Sequence, residues 1–246
     1  MAQKTFQHVL LKVGKRPSLP ASQNVTRHYS ETLSKEIALW LRDYLISEAL
    51  GANVLTPEAK IPTIYGGKSL DVGVVDQRGY LLLDISIKTF NFKDKQTQNY
   101  RHNYTGRFYE LLGEELDLRR SYRWSTLVAM IFLPEDCTED SSPSSFAHAV
   151  RQFSKIASTD LSVGLGFEHV FVGVHGPTGS LYFFNAAEFP PKEGPPPPKQ
   201  SLHIEDVLAV IRKTVEARRS HVAADPLPTH IRYKFVEPAR KPSALP

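Results

Sequence analysis

The clearest alternation of apolar and polar positions lies between Lys68 and Phe92. Residues 70–75 form one apolar run, and residues 80–87 form a second. The sequence Asp-Gln-Arg-Gly at 76–79 separates the two runs, and Gly79 tolerates the positive φ that a tight turn requires. Two short apolar runs on either side of such a turn predict a β-hairpin.

The second strand of this hairpin carries polar residues on one of its two faces. Side chains in a strand alternate between faces, so one face holds Leu81, Leu83, Ile85 and Ile87 and the other holds Leu82, Asp84, Ser86 and Lys88. Asp71 stands near the start of the partner strand, within reach of the polar face. Burying an ionised carboxylate costs roughly several kcal/mol unless it is paired or binds a metal. Two interpretations are open: a structural Asp84–Lys88 ion pair on a hydrated sheet face, or a metal-dependent hydrolytic site.

Apolar spacing elsewhere predicts alternating helices and strands. The predicted order is a helix from Ser30 that Gly51 ends, a strand within 53–65, the hairpin, a helix from Thr105, a buried strand at 124–133, a helix at 146–157, a strand at 168–174, a hairpin strand at 181–185 and a helix at 204–219. This order predicts the α/β class, with a mixed β-sheet flanked by helices and a C-terminal hairpin and helix added to the core.

The domain organisation predicted from the same pattern is simple. Residues 1–28 are expected to form an N-terminal extension with a short strand at Thr5–Val13. Residues 29–220 form a single α/β domain, from which a proline-rich segment at 190–199 projects. Residues 221–246 are expected to form a basic, proline-rich tail with a strand at 230–236.

The hairpin resembles the active-site hairpin of the restriction-endonuclease-like, PD-(D/E)xK nuclease superfamily. Asp71 matches the first aspartate of that motif and Lys88 matches its lysine. Ser86 departs from the pattern, because the superfamily has Asp or Glu two residues before the lysine. The nearest acid on that face is Asp84, which lies ~6–7 Å further back along the strand. The superfamily core has the order α-β-β-β-α-β, and residues 30–133 have the same predicted order.

This resemblance implies a Mg²⁺- or Mn²⁺-dependent nuclease. Asp71 and Asp84 would bind the metal, Ser86 would bond a metal-bound water, and Lys88 would orient the attacking water. Some members of the superfamily have a further acid on the first helix. Glu36 is the candidate for it here, and its alternative role is that of a solvated surface residue.

The segment after Lys88 is basic and aromatic, which is typical of surfaces that bind the nucleic-acid backbone. The residues predicted to contact nucleic acid are Lys93, Arg101, Tyr104, Arg107 and Arg119. The alternative is a solvated loop and helix in which the acids at 110, 114, 115 and 117 pair with the arginines.

Composition and charge exclude several other classes. The chain has 246 residues, a formal net charge of +4, 41% hydrophobic and 23% charged residues, an ordinary globular composition compatible with a polyanionic partner. A single cysteine, Cys137, excludes an internal disulfide framework and a multi-cysteine zinc site. There is no P-loop and no histidine pair with zinc-ligand spacing. No apolar run approaches the ~18 residues of a membrane span, and the N-terminus is not a signal peptide, so we expect a cytoplasmic protein without a membrane partner.

The sequence leaves three functions open. The first is a Mg²⁺-dependent nuclease acting on DNA, which the resemblance associates with restriction or defence. The second is a catalytically inactive nuclease-like fold that binds nucleic acid or another protein, which Ser86 favours. The third is an α/β protein with no nucleic-acid role. A homodimer is left open in each case.

Overall fold

The computed structural model describes residues 5–47, 53–157 and 166–227. It confirms the predicted α/β class, because a mixed six-stranded sheet is flanked by helices. The expected helix end at Gly51 and the expected strand at 230–236 lie outside these ranges.

The helices and strands have clear bounds. The helices are α1 Phe6–Val13, α2 Gln23–Ser47, α3 Tyr104–Ser121, α4 Ser145–Phe153 and α5 Ile204–Ala224. The strands are β1 Asn53–Val54, β2 Lys60–Thr63, β3 Gly66–Ser69, β4 Val72–Val75, β5 Leu81–Thr89, β6 Thr126–Pro134, β7 His169–His175 and β8 Leu181–Asn185. None of the helices in the described ranges has the length and apolar character needed to cross a membrane.

The six-stranded sheet has the order β1-β4-β5-β6-β7-β8. Strands β5, β6 and β7 are parallel, and the remaining neighbours are antiparallel. Every residue of β6 is buried, as its continuous apolar sequence predicts for a central strand covered on both faces. Two strands lie within the predicted range 53–65. Strand β1 pairs with β4 in the main sheet, whereas β2 pairs with β3 in a separate antiparallel sheet.

The predicted central hairpin is confirmed as β4 and β5. Val72 pairs with Ile85, and the register shifts between Val74 and Val75. Gly79 in the connecting turn has a φ of 86°, a conformation that is strained for residues with a side chain. The hairpin lies deep in the protein, and the first seven residues of β5 are all buried. Asp84 and Ser86 are therefore buried and do not lie on an exposed sheet face.

The N-terminal segment differs from the prediction. Residues Thr5–Val13 were expected to include a strand, but Phe6–Val13 forms helix α1. Phe6 is buried and packs edge-on against Trp40 of α2, with ring centroids 5.4 Å apart, and parallel to Phe132 of β6. Helix α1 thus packs on the domain core through Phe6 and Val9.

Helix α2 also begins earlier than predicted, at Gln23 rather than near Ser30. The hydroxyl of Ser22 accepts a hydrogen bond from the backbone N–H of Val25 at 3.4 Å, the role of an N-terminal cap. The added turns bring a polar stretch of α2 alongside the hairpin.

Candidate active site

Strand β5 brings three of the predicted site residues together. Asp84, Ser86 and Lys88 lie on one face, as the period of two predicts, and all three line the same cleft. The hydroxyl oxygen of Ser86 lies 3.1 Å from Oδ2 of Asp84. Asp84 and Ser86 are almost fully buried, whereas the side chain of Lys88 keeps about a tenth of its surface exposed.

Asp71 joins this group from the residue before β4. Its Oδ2 accepts a hydrogen bond of 2.7 Å from the backbone N–H of Ile87, which fixes the carboxylate beside the polar face of β5. Burial raises the pKa of Asp71 above its ordinary value, opposed by that hydrogen bond and by the charge of Lys88. The structure thus places the predicted aspartate in the cleft with Asp84 and Lys88.

A third carboxylate, which was not singled out from the sequence, comes from α3. Oε2 of Glu114 lies 2.8 Å from the hydroxyl oxygen of Ser86. Its Oε1 lies 3.1 Å from Nζ of Lys88 and 3.5 Å from Nζ of Lys68. Burial disfavours the ionised form of Glu114, but the two lysines and Ser86 outweigh burial and the pKa of Glu114 is lowered. Glu114 is therefore an ionised carboxylate at the centre of the site.

A sequence signal for Glu114 exists in the spacing of α3. Leu111, Glu115 and Leu118 are buried, and position 114 lies on the same side of the helix as these residues because neighbours three and four apart share a face. An acid on the inward face of an amphipathic helix indicates a buried partner. Its grouping with the acids at 110, 115 and 117 as residues of a solvated helix surface concealed this signal.

Asp84 is the most perturbed acid of the group. Burial, helped by the nearby charges of Glu114 and Asp71 and opposed by Lys68, raises the pKa of Asp84 to about 7. Its Oδ1 is buried and has no hydrogen-bond partner among the residues that the structure describes. Ser86 has one hydroxyl proton and donates to one carboxylate at a time. The Ser86 hydroxyl therefore bridges the two carboxylates and can donate to either Asp84 or Glu114.

These residues lie in a cleft of 710 Å³ between α2 and the start of α3. One side of the cleft is a polar face of α2 formed by Gln23, Thr26, Arg27, Ser30, Glu31 and Ser34. His102, Asn103 and Arg107, at and just before the start of α3, also line the cleft. The polar face of α2 extends over ~16 Å at 1.5 Å per residue. The cleft is therefore a long polar groove with the carboxylates on its floor.

Glu36, the predicted acid of the first helix, does not line this cleft. Its carboxylate forms an ion pair of 2.9 Å with Lys12 and so links α2 to α1. Glu31 is the acid of α2 that lines the cleft, and it pairs with Arg27 at 2.7 Å.

Only one of the five residues predicted to contact nucleic acid lines the cleft, namely Arg107. Arg119 is 6% exposed and forms ion pairs with Glu168 and Glu115. Its role is structural, and the expectation that it contacts nucleic acid is corrected.

The other three residues are also engaged in contacts outside the cleft. Arg101 donates hydrogen bonds to the hydroxyl of Ser141 and to the carbonyl of Pro143. Tyr104 is buried, and its hydroxyl donates to a backbone carbonyl. Lys93 forms an ion pair with Asp136 at 3.0 Å. Lys93, Arg101 and Tyr104 therefore do not join Arg107 in lining the cleft.

The donor set of the cleft is suited to a hard cation. Among the residues in the described ranges, no group of three His, Cys, Asp or Glu side chains is already arranged around a common metal position. Mg²⁺, however, uses only one or two protein carboxylates and completes its shell with water and substrate phosphate. The unpartnered Oδ1 of Asp84 and the neighbouring carboxylate of Glu114 supply such ligands. The residues present therefore fit a divalent cation of this kind.

Comparisons with known proteins add little to this description. No protein-family model matches the chain, and no curated protein matches it. A solved structure of SfsA from Pyrococcus furiosus, in complex with Ca²⁺, matches with 10% identity and a TM-score of 0.26. The match covers 65% of this chain and 64% of that one, so the chain spans less than two thirds of the length of SfsA. A likeness at this level carries no argument about function.

Proposed function

We propose that this protein is a metal-dependent nuclease that hydrolyses phosphodiester bonds, with DNA as its expected substrate. One observation carries the proposal: Asp84 and Glu114 meet at Ser86, beside Lys88, on the floor of an open polar cleft that Asp71 also lines. The motif of the PD-(D/E)xK superfamily, which the hairpin resembles, has an acid at the position of Ser86. In this proposal, Glu114 supplies that acid from α3 and Ser86 holds it in place.

Each residue has a distinct role in this proposal. Asp84 and Glu114, with Asp71 beside them, would hold Mg²⁺ or Mn²⁺, and the bound ion would lower the pKa of a water and neutralise charge on the phosphate. Lys88 stabilises the negative charge that develops on the phosphate oxygens. Ser86 orients Glu114 through its hydrogen bond, and the backbone amide of Ile87 fixes Asp71.

A cleavage assay tests the proposal. Labelled duplex DNA, single-stranded DNA and RNA are incubated with the protein in Mg²⁺, Mn²⁺ or EDTA. We expect divalent-dependent cleavage that falls by at least about 100-fold in Asp84→Asn, Glu114→Gln and Lys88→Met, as it does when a group that stabilises transition-state charge is lost. Glu216→Gln is the matched control, because Glu216 is exposed on α5 and lies outside the cleft. Equal cleavage by all of these proteins, or cleavage that persists in EDTA, would contradict the proposal.

A second candidate is a catalytically inactive nuclease-like fold that binds nucleic acid. Lys88 favours it, because its ammonium group already contacts Glu114 at 3.1 Å and Glu110 at 3.6 Å. The same assay separates the two candidates. Binding of DNA or RNA without hydrolysis in Mg²⁺ or Mn²⁺ would support the inactive fold. Neither binding nor hydrolysis would leave an α/β protein with no nucleic-acid role.

A further inference from the structure

The carboxylate of Glu114 contacts two lysines at once. Its Oε1 lies 3.1 Å from the ammonium group of Lys88 on β5 and 3.5 Å from that of Lys68 on β3. Both lysine side chains are largely buried, with 10% and 14% of their surface exposed. Lys68 comes from the separate β2–β3 hairpin and lines the same cleft. One carboxylate from α3 therefore holds cations from two different sheets.

The balance of charge on the cleft floor does not favour a phosphate. With all groups ionised, Asp71, Asp84 and Glu114 bring three negative charges against the two positive charges of Lys68 and Lys88. The arginines on the cleft sides are also paired, Arg27 with Glu31 and Arg107 with Glu110, each at 2.7 Å. A phosphodiester that approaches this floor meets one excess negative charge, and both lysines already contact Glu114.

A divalent cation reverses this balance. One such ion among the three carboxylates leaves a net positive charge on the floor. It also competes with both ammonium groups for Glu114, because a doubly charged hard cation interacts more strongly with a carboxylate than a lysine does.

We propose that Glu114 couples cation binding to substrate binding: a divalent cation that takes this carboxylate releases Lys68 and Lys88, and Lys68 then binds a phosphate of the substrate. This inference rests on the proposed nuclease function and adds Lys68 as a substrate-positioning residue. Linkage requires the coupling to be reciprocal, so nucleic acid raises the affinity for the cation by the same factor as the cation raises the affinity for nucleic acid.

The test measures binding rather than turnover. A short fluorescein-labelled DNA duplex is titrated with protein in EDTA and in Ca²⁺ at about pH 8, and fluorescence anisotropy gives the dissociation constant. Gels of the same samples confirm that the duplex is intact. The variants are Glu114→Gln, which keeps the shape of the side chain and removes its charge, and Lys68→Met. Asp84→Asn is the matched control, because it removes the same charge from the floor but leaves Glu114 on both lysines.

The coupling predicts a specific pattern. Wild-type protein binds DNA more tightly in Ca²⁺ than in EDTA. Glu114→Gln in EDTA binds about tenfold more tightly than wild type, the change expected for one added charged contact. Asp84→Asn in EDTA shows a clearly smaller gain. Lys68→Met loses most of the Ca²⁺-dependent gain, although calorimetry detects Ca²⁺ binding at least as tight as in wild type because one competitor for Glu114 is gone, and Lys68→Arg restores the gain.

Other outcomes overturn the inference in distinguishable ways. Equal effects of Glu114→Gln and Asp84→Asn in EDTA would mean that only net charge matters, which refutes the coupling and leaves the proposed function intact. An unchanged Ca²⁺ response in Lys68→Met with a wild-type melting temperature would remove Lys68 from substrate binding. Wild-type protein that binds no nucleic acid in Ca²⁺ would refute the proposed function and this inference together.

Discussion

The replacement Asp84→Asn offers a quantitative test of the buried carboxylate. Burial raises the pKa of Asp84 from 3.8 to about 7 in the folded protein, while the unfolded chain ionises near the ordinary value. Between these two values the folded state binds more protons than the unfolded state. The free energy of unfolding of wild-type protein therefore falls as the pH rises from about 4 to about 7.

The size of the pKa shift sets the magnitude of this effect. Each pKa unit corresponds to about 1.4 kcal/mol, so a shift of about three units costs up to about 4 kcal/mol once Asp84 is ionised. Asparagine does not ionise, but its amide group replaces an oxygen that has no partner in the described part of the chain. That unsatisfied donor costs about 1–3 kcal/mol at every pH. We expect the variant to be less stable than wild type near pH 4 and more stable near pH 8.

Urea denaturation in EDTA at intervals between about pH 4 and about pH 8 measures this effect as the difference between variant and wild type. The free-energy cost of the unsatisfied amide is the same at every pH, so it does not affect how that difference changes with pH. Asp94→Asn is the control, because hydrogen bonds from Thr97 and Gln96 lower the pKa of Asp94. Asp94 is then ionised in both the folded and the unfolded state above about pH 5, so its difference from wild type should be nearly flat there. A difference between Asp84→Asn and wild type that is flat across this range would show that Asp84 ionises normally and refute the expected penalty.

Three further predictions concern other parts of the structure. Arg119→Met should lower the free energy of unfolding by about 3 kcal/mol in urea denaturation, because it removes one partner of the buried carboxylate of Glu168; a loss below about 1 kcal/mol would contradict this. Arg107→Ala should lower the salt dependence of DNA binding by about one unit, whereas Arg101→Ala should leave the slope unchanged; equal slopes in both variants would argue against Arg107 as a phosphate contact. Ser86→Ala should weaken Mn²⁺ binding in calorimetry several-fold because Glu114 loses its hydrogen bond, and unchanged binding would argue against Ser86 as its support.

The local part of the site was predictable from the sequence, because it depends on the period of a strand. Alternation alone places Asp84, Ser86 and Lys88 on one face of β5, and the apolar run at 124–133 identifies the central strand. These statements require no knowledge of distant residues. The turn of the β4–β5 hairpin was predictable for the same reason, and the predicted strand ends lie within two residues of the observed ones.

The parts of the site that were not predicted depend on contacts between distant residues. Glu114 is separated from Ser86 by a loop and half a helix, so the sequence shows no sign that their side chains touch. Arg119 lies among charged residues, which is typical of a surface arginine. Its partner Glu168 is distant in sequence and lies just before strand β7. The error at α1 has a different cause. Phe6, Val9 and Val13 have helical spacing, but the short apolar run between them was interpreted as a strand.

Helix α3 is anchored on both sides of Glu114, and this restricts changes in its length. At its start the ring of Tyr104 packs edge-on against Phe90, with centroids 4.5 Å apart, and near its end Arg119 donates hydrogen bonds to the carbonyls of Ser125 and Gly166. Each residue added to a helix rotates all later positions by about 100°. A one-residue insertion or deletion between Tyr104 and Glu114 would turn the carboxylate away from Ser86 or pull Tyr104 out of the core. A one-residue insertion or deletion between Glu114 and Arg119 would likewise prevent Glu114 from reaching Ser86 while Arg119 keeps its own hydrogen bonds. The intervening positions should therefore accept many substitutions but no insertion or deletion, a pattern that a length-variant library selected for folding can reveal directly.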